Sequence, residues 1–278
     1  MTNSVTSAIL PIREVEKPWG RDVLPLPFKA PEGKRIGEVW FEPPAKLPGL
    51  LVKYIFTSEA LSVQVHPTDA QTLAKGLGRQ GKEECWLIIQ AEPGAKLRIG
   101  FDKHISAEEM RAAALDGSIE HLMTWHEVSP GDFFYIPANT VHAIGAGIGL
   151  IETQQNSDIT YRLYDYGRPR ELHLDDSVAV AKGEPYDLSK WHQTVPDDGS
   201  QTLVDGPLFR LDQVTGPPSA EVAARYTGGL LVIPRVGSVD VAGEIVEAGS
   251  AALAASLADV RFADDGVCLI AVACADER

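Results

Sequence analysis

The chain has 278 residues, 44% of them hydrophobic and 23% charged, a soluble globular composition long enough for one large domain or two smaller ones. Its formal net charge of −14, without any Lys/Arg run, excludes non-specific nucleic-acid binding through phosphate contacts. No apolar run reaches the roughly 20 residues that cross a bilayer, so no membrane association is expected. The first twenty residues lack the basic and apolar regions of a signal peptide. The three cysteines are Cys85, Cys268 and Cys274, an odd count with no C-x-x-C pair. That pattern speaks against a disulfide framework or a thiolate zinc site. A reducing cytoplasm is the expected compartment, and any metal must be held by nitrogen and oxygen.

Read in chain order, the first half is short strands broken by turns. Strands are expected at 50–57, 61–65, 84–90, 96–100, 132–136 and 149–155, rich in β-branched and aromatic residues between Pro and Gly. Short helices are expected at 69–77 and 174–182, and a stronger one at 106–121. There Ser106 and Glu109 fit a capping box, and Met110, Ala113, Ala114, Leu115 and Ile119 supply an apolar face. Residues 195–206 are polar and turn-rich and read as a linker. Further strands follow at 208–214, 229–234, 238–241, 243–246, 251–254 and 267–273.

These later strands form a weak repeat of the first unit. GGLLVIPRVGSVDV echoes ECWLIIQAEPGAKLRI, and EIVEAGSAALAAS echoes EVSPGDFFYIPAN. All seven histidines, at 66, 104, 121, 126, 142, 173 and 192, precede the linker. The expected fold is therefore mostly β, a double β-barrel or jelly roll with a few helices in the first half. Residues 1–197 would form a metal-binding catalytic domain, and 207–278 a degenerate, metal-free second domain.

Three stretches carry residues that chemistry could use. In LSVQVHPTD, strand alternation puts Leu61, Val63 and Val65 on one face and Ser62, Gln64 and His66 on the other. Alone this suits a half-exposed strand as well as a site. In GKEECW, Glu84 shares a face with Trp86 and Ile88, while Glu83 and Cys85 take the other. In GDFFYIPANTVHAIG, the spacing G-D-x4-P-x4-H is the second half of a cupin motif. A small antiparallel barrel can bring Gln64, His66, Glu84 and His142 onto one interior face. Two imidazoles, a carboxylate and an amide suit a borderline divalent metal such as Zn²⁺.

With these motifs in order, the chain resembles the type I mannose-6-phosphate isomerases of the short bacterial kind, a zinc-dependent cupin family. LSVQVHP, GKEECW, AEPGAKLRIGF and PGDFFYIPANTVHAIGAGIGLIETQQNSDITYRLYDYGRP carry the resemblance, with KPWG and IGEVW before them. It covers roughly residues 15–175, and the remainder matches in outline only. The resemblance implies one zinc ion held by Gln64, His66, Glu84 and His142. It implies an active-site arginine at Arg162, and a pocket lysine and carboxylate at Lys82 and Glu152.

Read from the residues alone, Arg162 shares a face with Thr160 and Tyr164, and could hold a phosphate or a developing enediolate oxygen. Lys82 could be a surface ion pair, whereas Glu152 in the apolar GIGLIET needs a reason to be there. The implied reaction interconverts mannose 6-phosphate and fructose 6-phosphate through proton transfer between C1 and C2, aided by a metal. Glu152, Lys82 and a metal-bound water are the candidates for the base. Arg162, Arg168 and Arg170 are the candidates for the phosphate. A monomer acting on a small sugar phosphate is expected. The rival readings are an iron cupin oxygenase, a cupin isomerase for another sugar phosphate, and a non-catalytic sugar-phosphate-binding cupin.

Overall fold

The computed structural model describes residues 6–274. Its organising element is a seven-stranded antiparallel sheet. The strands run in the order His192–Thr194, Asp132–Ile136, Glu84–Ala91, Ile148–Gln155, Leu50–Phe56, Ile36–Phe41 and Ile12–Arg21. Its two central strands, Leu50–Phe56 and Ile148–Gln155, are buried at every position, because both faces of the sheet are covered.

One face packs on a five-stranded sheet to close the first barrel. Its order is Tyr161–Tyr164, Val63–Val65, His142–Ile144, Lys96–Phe101 and Met123–Glu127. Trp86, Ile88, Phe134, Ile136, Leu97 and Ile99 fill the space between the two. The other face packs on a six-stranded sheet from the C-terminal part, through Leu50, Val52, Phe56 and Leu87 against Phe209, Leu211, Leu231 and Ile233. Each such side chain contributes roughly 1.5–3 kcal/mol by leaving water. A three-stranded sheet, Glu244–Glu247, Ser238–Val241 and Val260–Phe262, closes the second barrel. The molecule is mostly β, as the pattern predicts, and its two barrels pack against each other through the seven- and six-stranded sheets.

Helices cover the outer face of the five-stranded sheet, where Val63, Val65, Val141 and Leu163 meet Met110, Ala113 and Ala114. The helix expected at 106–121 is two. Ala107–Asp116 starts at the Ser106–Glu109 capping box, and Gly117 ends it at φ +83° before Ile119–Leu122. The stretch read as a linker contains a strand, Gln201–Asp205, which edges the six-stranded sheet and buries Leu203 and Val204. Its two apolar residues are adjacent rather than alternating, so no strand period marks it. Ala8–Ile9 crosses over to pair with Ala252–Ala254 at the opposite edge of that sheet. Among the described residues no helix is long and apolar enough to cross a membrane.

Candidate metal centre and active site

The strand around Gln64 is only Val63–Val65, with both valines turned to the helices. Leu61 lies before the strand and joins the barrel interior instead, a departure from the expected alternation. Gln64 pairs with His142 on one side and Arg162 on the other, so these three sit in one row across the sheet. His66 follows the strand. Asn139, at φ +72°, donates its backbone N–H to the His66 carbonyl at 2.8 Å, which pins the loop before His142 to His66.

Glycine at position 81 is required by contact. A Cβ there would lie 2.3 Å from the Pro67 carbonyl oxygen. Its absence lets the Lys82 N–H donate to that same oxygen at 3.0 Å. Asp69 Oδ1 accepts from the Gly81 N–H at 2.7 Å and from Gln155 Nε2 at 2.9 Å, tying the loop before Glu84–Ala91 to the strand that carries Glu152. These ties bring Lys82 and Glu84 beside His66.

The carboxylate of Glu84 stands between the two imidazoles, 3.5 Å from His66 Nε2 and 3.3 Å from His142 Nε2. Both rings donate Nδ1–H to backbone carbonyls, His66 to Ile159 at 2.8 Å and His142 to Thr140 at 2.9 Å. That fixes the tautomer and leaves each Nε2 lone pair aimed at the carboxylate. Three electron-pair donors thus face one another, an arrangement that suits a cation. Their ligand atoms fall within 4.8 Å of one another, all buried, and the donor set fits one zinc ion. The Gln64 amide Nε2 is 3.3 Å from His142 Nε2, close enough for the amide oxygen to join after rotation.

Charge follows the same geometry. Burial and the adjacent Lys82 press the His66 imidazole well below its usual pKa, and burial lowers His142. Burial alone would raise the Glu84 carboxyl, but Lys82, His66 and His142 outweigh it and hold it below the usual range. Lys82 Nζ lies 2.5 Å from Glu84, 3.2 Å from His66 Nε2 and 3.5 Å from Glu152. Burial and the neighbouring Glu84 push the Glu152 carboxyl up to about 7.

A cavity of about 560 Å³ opens onto this cluster, lined by Gln64, Lys82, Glu84, Glu152 and Arg162. His66 and His142 lie at its base, 1% exposed. The seven site residues that the resemblance implies thus gather in and beneath this one cavity. Sequence reasoning missed further charged residues there, Lys53 and Glu38 among them. Lys53 faces Glu152 across paired strands at 3.4 Å, and Glu38 accepts from Lys17 at 3.3 Å and from the Trp40 indole at 2.6 Å. Glu152 and Glu38 raise the Lys53 ammonium against its burial. A lone lysine inside the apolar run LLVKYIF was the available signal.

Arg162 lines the cavity and donates Nη1–H to the Glu171 carbonyl at 2.7 Å. Arg168 and Arg170 both bind the buried Asp165 carboxylate, and of these two only Arg170 reaches the cavity. Tyr161 and Leu163 face the helices, and an irregularity after Arg162 turns Tyr164 toward them as well, away from the face it was expected to share with Arg162.

The fold is a pair of antiparallel β-barrels, and the donor set in the first of them fits one zinc ion. Over nearly its whole length the fold is that of the phosphomannose isomerases. The chain superposes on the mannose 6-phosphate isomerase of Bacillus subtilis with a TM-score of 0.79 and 24% identity, covering 96% of this chain and 99% of that one. A zinc-bound mannose 6-phosphate isomerase matches with a TM-score of 0.72 and 13% identity, over 97% of this chain and 100% of that one. In sequence, the mannose-6-phosphate isomerase of Streptococcus mutans is 39% identical over 186 residues, 64% of this chain. That stretch spans 58% of the relative's own length. No protein-family model matches the chain.

Proposed function

We propose that this chain is an aldose–ketose isomerase interconverting mannose 6-phosphate and fructose 6-phosphate. One observation carries the reading. The buried His66–Glu84–His142 group, the Lys82–Glu152 pair and the cations Arg162 and Arg170 all belong to one cavity. Proton transfer beside a carbonyl needs all three: an electrophile, a base and an anchor for the phosphate.

Zinc held by His66, Glu84 and His142, with Gln64 as a fourth ligand, would supply Lewis acidity toward the oxygens at C1 and C2 of the open-chain sugar. Glu152 is our candidate for the base. Two ammonium groups approach its Oε1 only to 3.4 and 3.5 Å, and that oxygen is buried without an aligned donor. It can therefore take the proton from C2 and return it to C1 on one face of the sugar. Lys53 and Lys82 hold the carboxylate in place and balance the charge that moves. Arg162 and Arg170 bind the phosphate, where planar guanidinium forks suit its oxygens. A cytoplasmic monomer acting on a free small molecule completes the reading, and the unpaired Cys85, Cys268 and Cys274 suit a reducing compartment.

The test is conversion of mannose 6-phosphate by the zinc-loaded protein in D₂O. Fructose 6-phosphate with deuterium at C1 is expected as the base exchanges with solvent. Binding without conversion would overturn the isomerase and leave a sugar-phosphate-binding cupin.

A further inference from the structure

A second cavity, of about 370 Å³, lies between the seven- and six-stranded sheets. Strand alternation separates it from the metal centre. Tyr54, Phe56 and Ile151 line it, and their neighbours Lys53, Ile55 and Glu152 belong to the opposite face. Phe28 closes one side, with its ring 4.8 Å from Tyr54 and 5.5 Å from Phe56. The walls are thus largely aromatic and apolar.

Arg235 enters this setting from the Leu230–Val236 strand. Among the described residues no carboxylate lies within ion-pair distance of it. The acidic side chains that act on it electrostatically are Tyr54, in the cavity wall, and Asp197, beyond that distance. Its Nη1 donates to Gln213 Oε1. The Gln213 amide is already fixed, because its Nε2 donates to the carbonyls of Pro196 and Gly199 at 2.7 and 2.8 Å. Arg235 Nε is shut off from solvent and has no acceptor. A cation half-withdrawn from water without a counter-charge is costly, and a fold keeps one where an anion arrives. The isomerase mechanism makes no use of Arg235.

We propose that this cavity binds a small organic carboxylate with a flat apolar body. The carboxylate would meet Arg235, and the body would lie along Phe28, Tyr54 and Phe56. A single guanidinium matches a single negative charge, which favours a carboxylate over a phosphate dianion. The aromatic walls favour a ring over a sugar. The cavity size suits a molecule of that kind.

The probes are phenylacetate and its neutral isostere phenylacetamide, titrated calorimetrically into the intact zinc-loaded chain. Saturable binding of phenylacetate is expected, at least about tenfold tighter than that of the amide, as for a hydrogen bond between charged groups. Arg235→Gln brings the acid down to the level of the amide. Equal binding of the two probes to the wild type, or no binding of either, would overturn the proposal. So would undiminished phenylacetate binding by Arg235→Gln. The wild-type comparison decides the matter even where the variant folds poorly.

Discussion

The two barrels share a strand plan and differ in what they enclose. In the first, Asp132–Ile136, Glu84–Ala91, Ile148–Gln155, Leu50–Phe56 and Ile36–Phe41 are successive neighbours. In the second, Ala252–Ala254, Leu230–Val236, Val267–Ala273, Phe209–Thr215 and Gln201–Asp205 repeat that order. Yet the first barrel turns Lys53, Lys82, Glu84 and Glu152 into its interior, all buried. The second is filled by Val214, Leu230, Val232, Val239, Val246 and Ile270. Its buried Asp212 is matched by Arg225 and by the Tyr226 hydroxyl at 2.7 Å. One architecture thus serves two ends. Close apolar packing fills one barrel, and buried charged groups line a cavity in the other.

Substitutions in the two interiors should therefore fail in different ways. Glu84→Gln removes the charge at the centre of the donor group. Zinc content measured by mass spectrometry should fall to background, and kcat/KM by on the order of 10³-fold or more. Glu152→Gln should keep its zinc and lose about 10²–10⁴-fold in kcat, as expected for a missing general base. Retention of most turnover would remove Glu152 from the chemistry. Leu230→Ala, in the second barrel, should cost about 2–5 kcal/mol in denaturant unfolding with kcat/KM unchanged. A matching loss of activity would mean that the barrels are not separable in this sense. Arg162→Ala should keep zinc and stability and lose about 10²-fold in kcat/KM, and wild-type rates would exclude it from substrate binding.

Much of this was legible in the sequence, for reasons that differ by residue. Gln64, Glu84 and His142 follow from strand alternation and the cupin spacing, which act locally. The echo between residues 84–91 and 230–236 reappears as equivalent positions in the two sheets. Lys53 was not legible as a site residue, because its partner Glu152 lies across a strand pair and 99 positions away (152 − 53). Trp40 and Glu38 gain their meaning only when Ile36–Phe41 pairs beside Leu50–Phe56. The strand Gln201–Asp205 was hidden because it is an edge strand, and its composition resembles that of the turns around it.

The most direct measurement is turnover of mannose 6-phosphate to fructose 6-phosphate before chelation, after it, and after zinc is restored. Loss on chelation and recovery with zinc is the predicted result. Undiminished turnover after complete removal of metal would contradict the role given to His66, Glu84 and His142. Its absence at full zinc occupancy would contradict the isomerase itself.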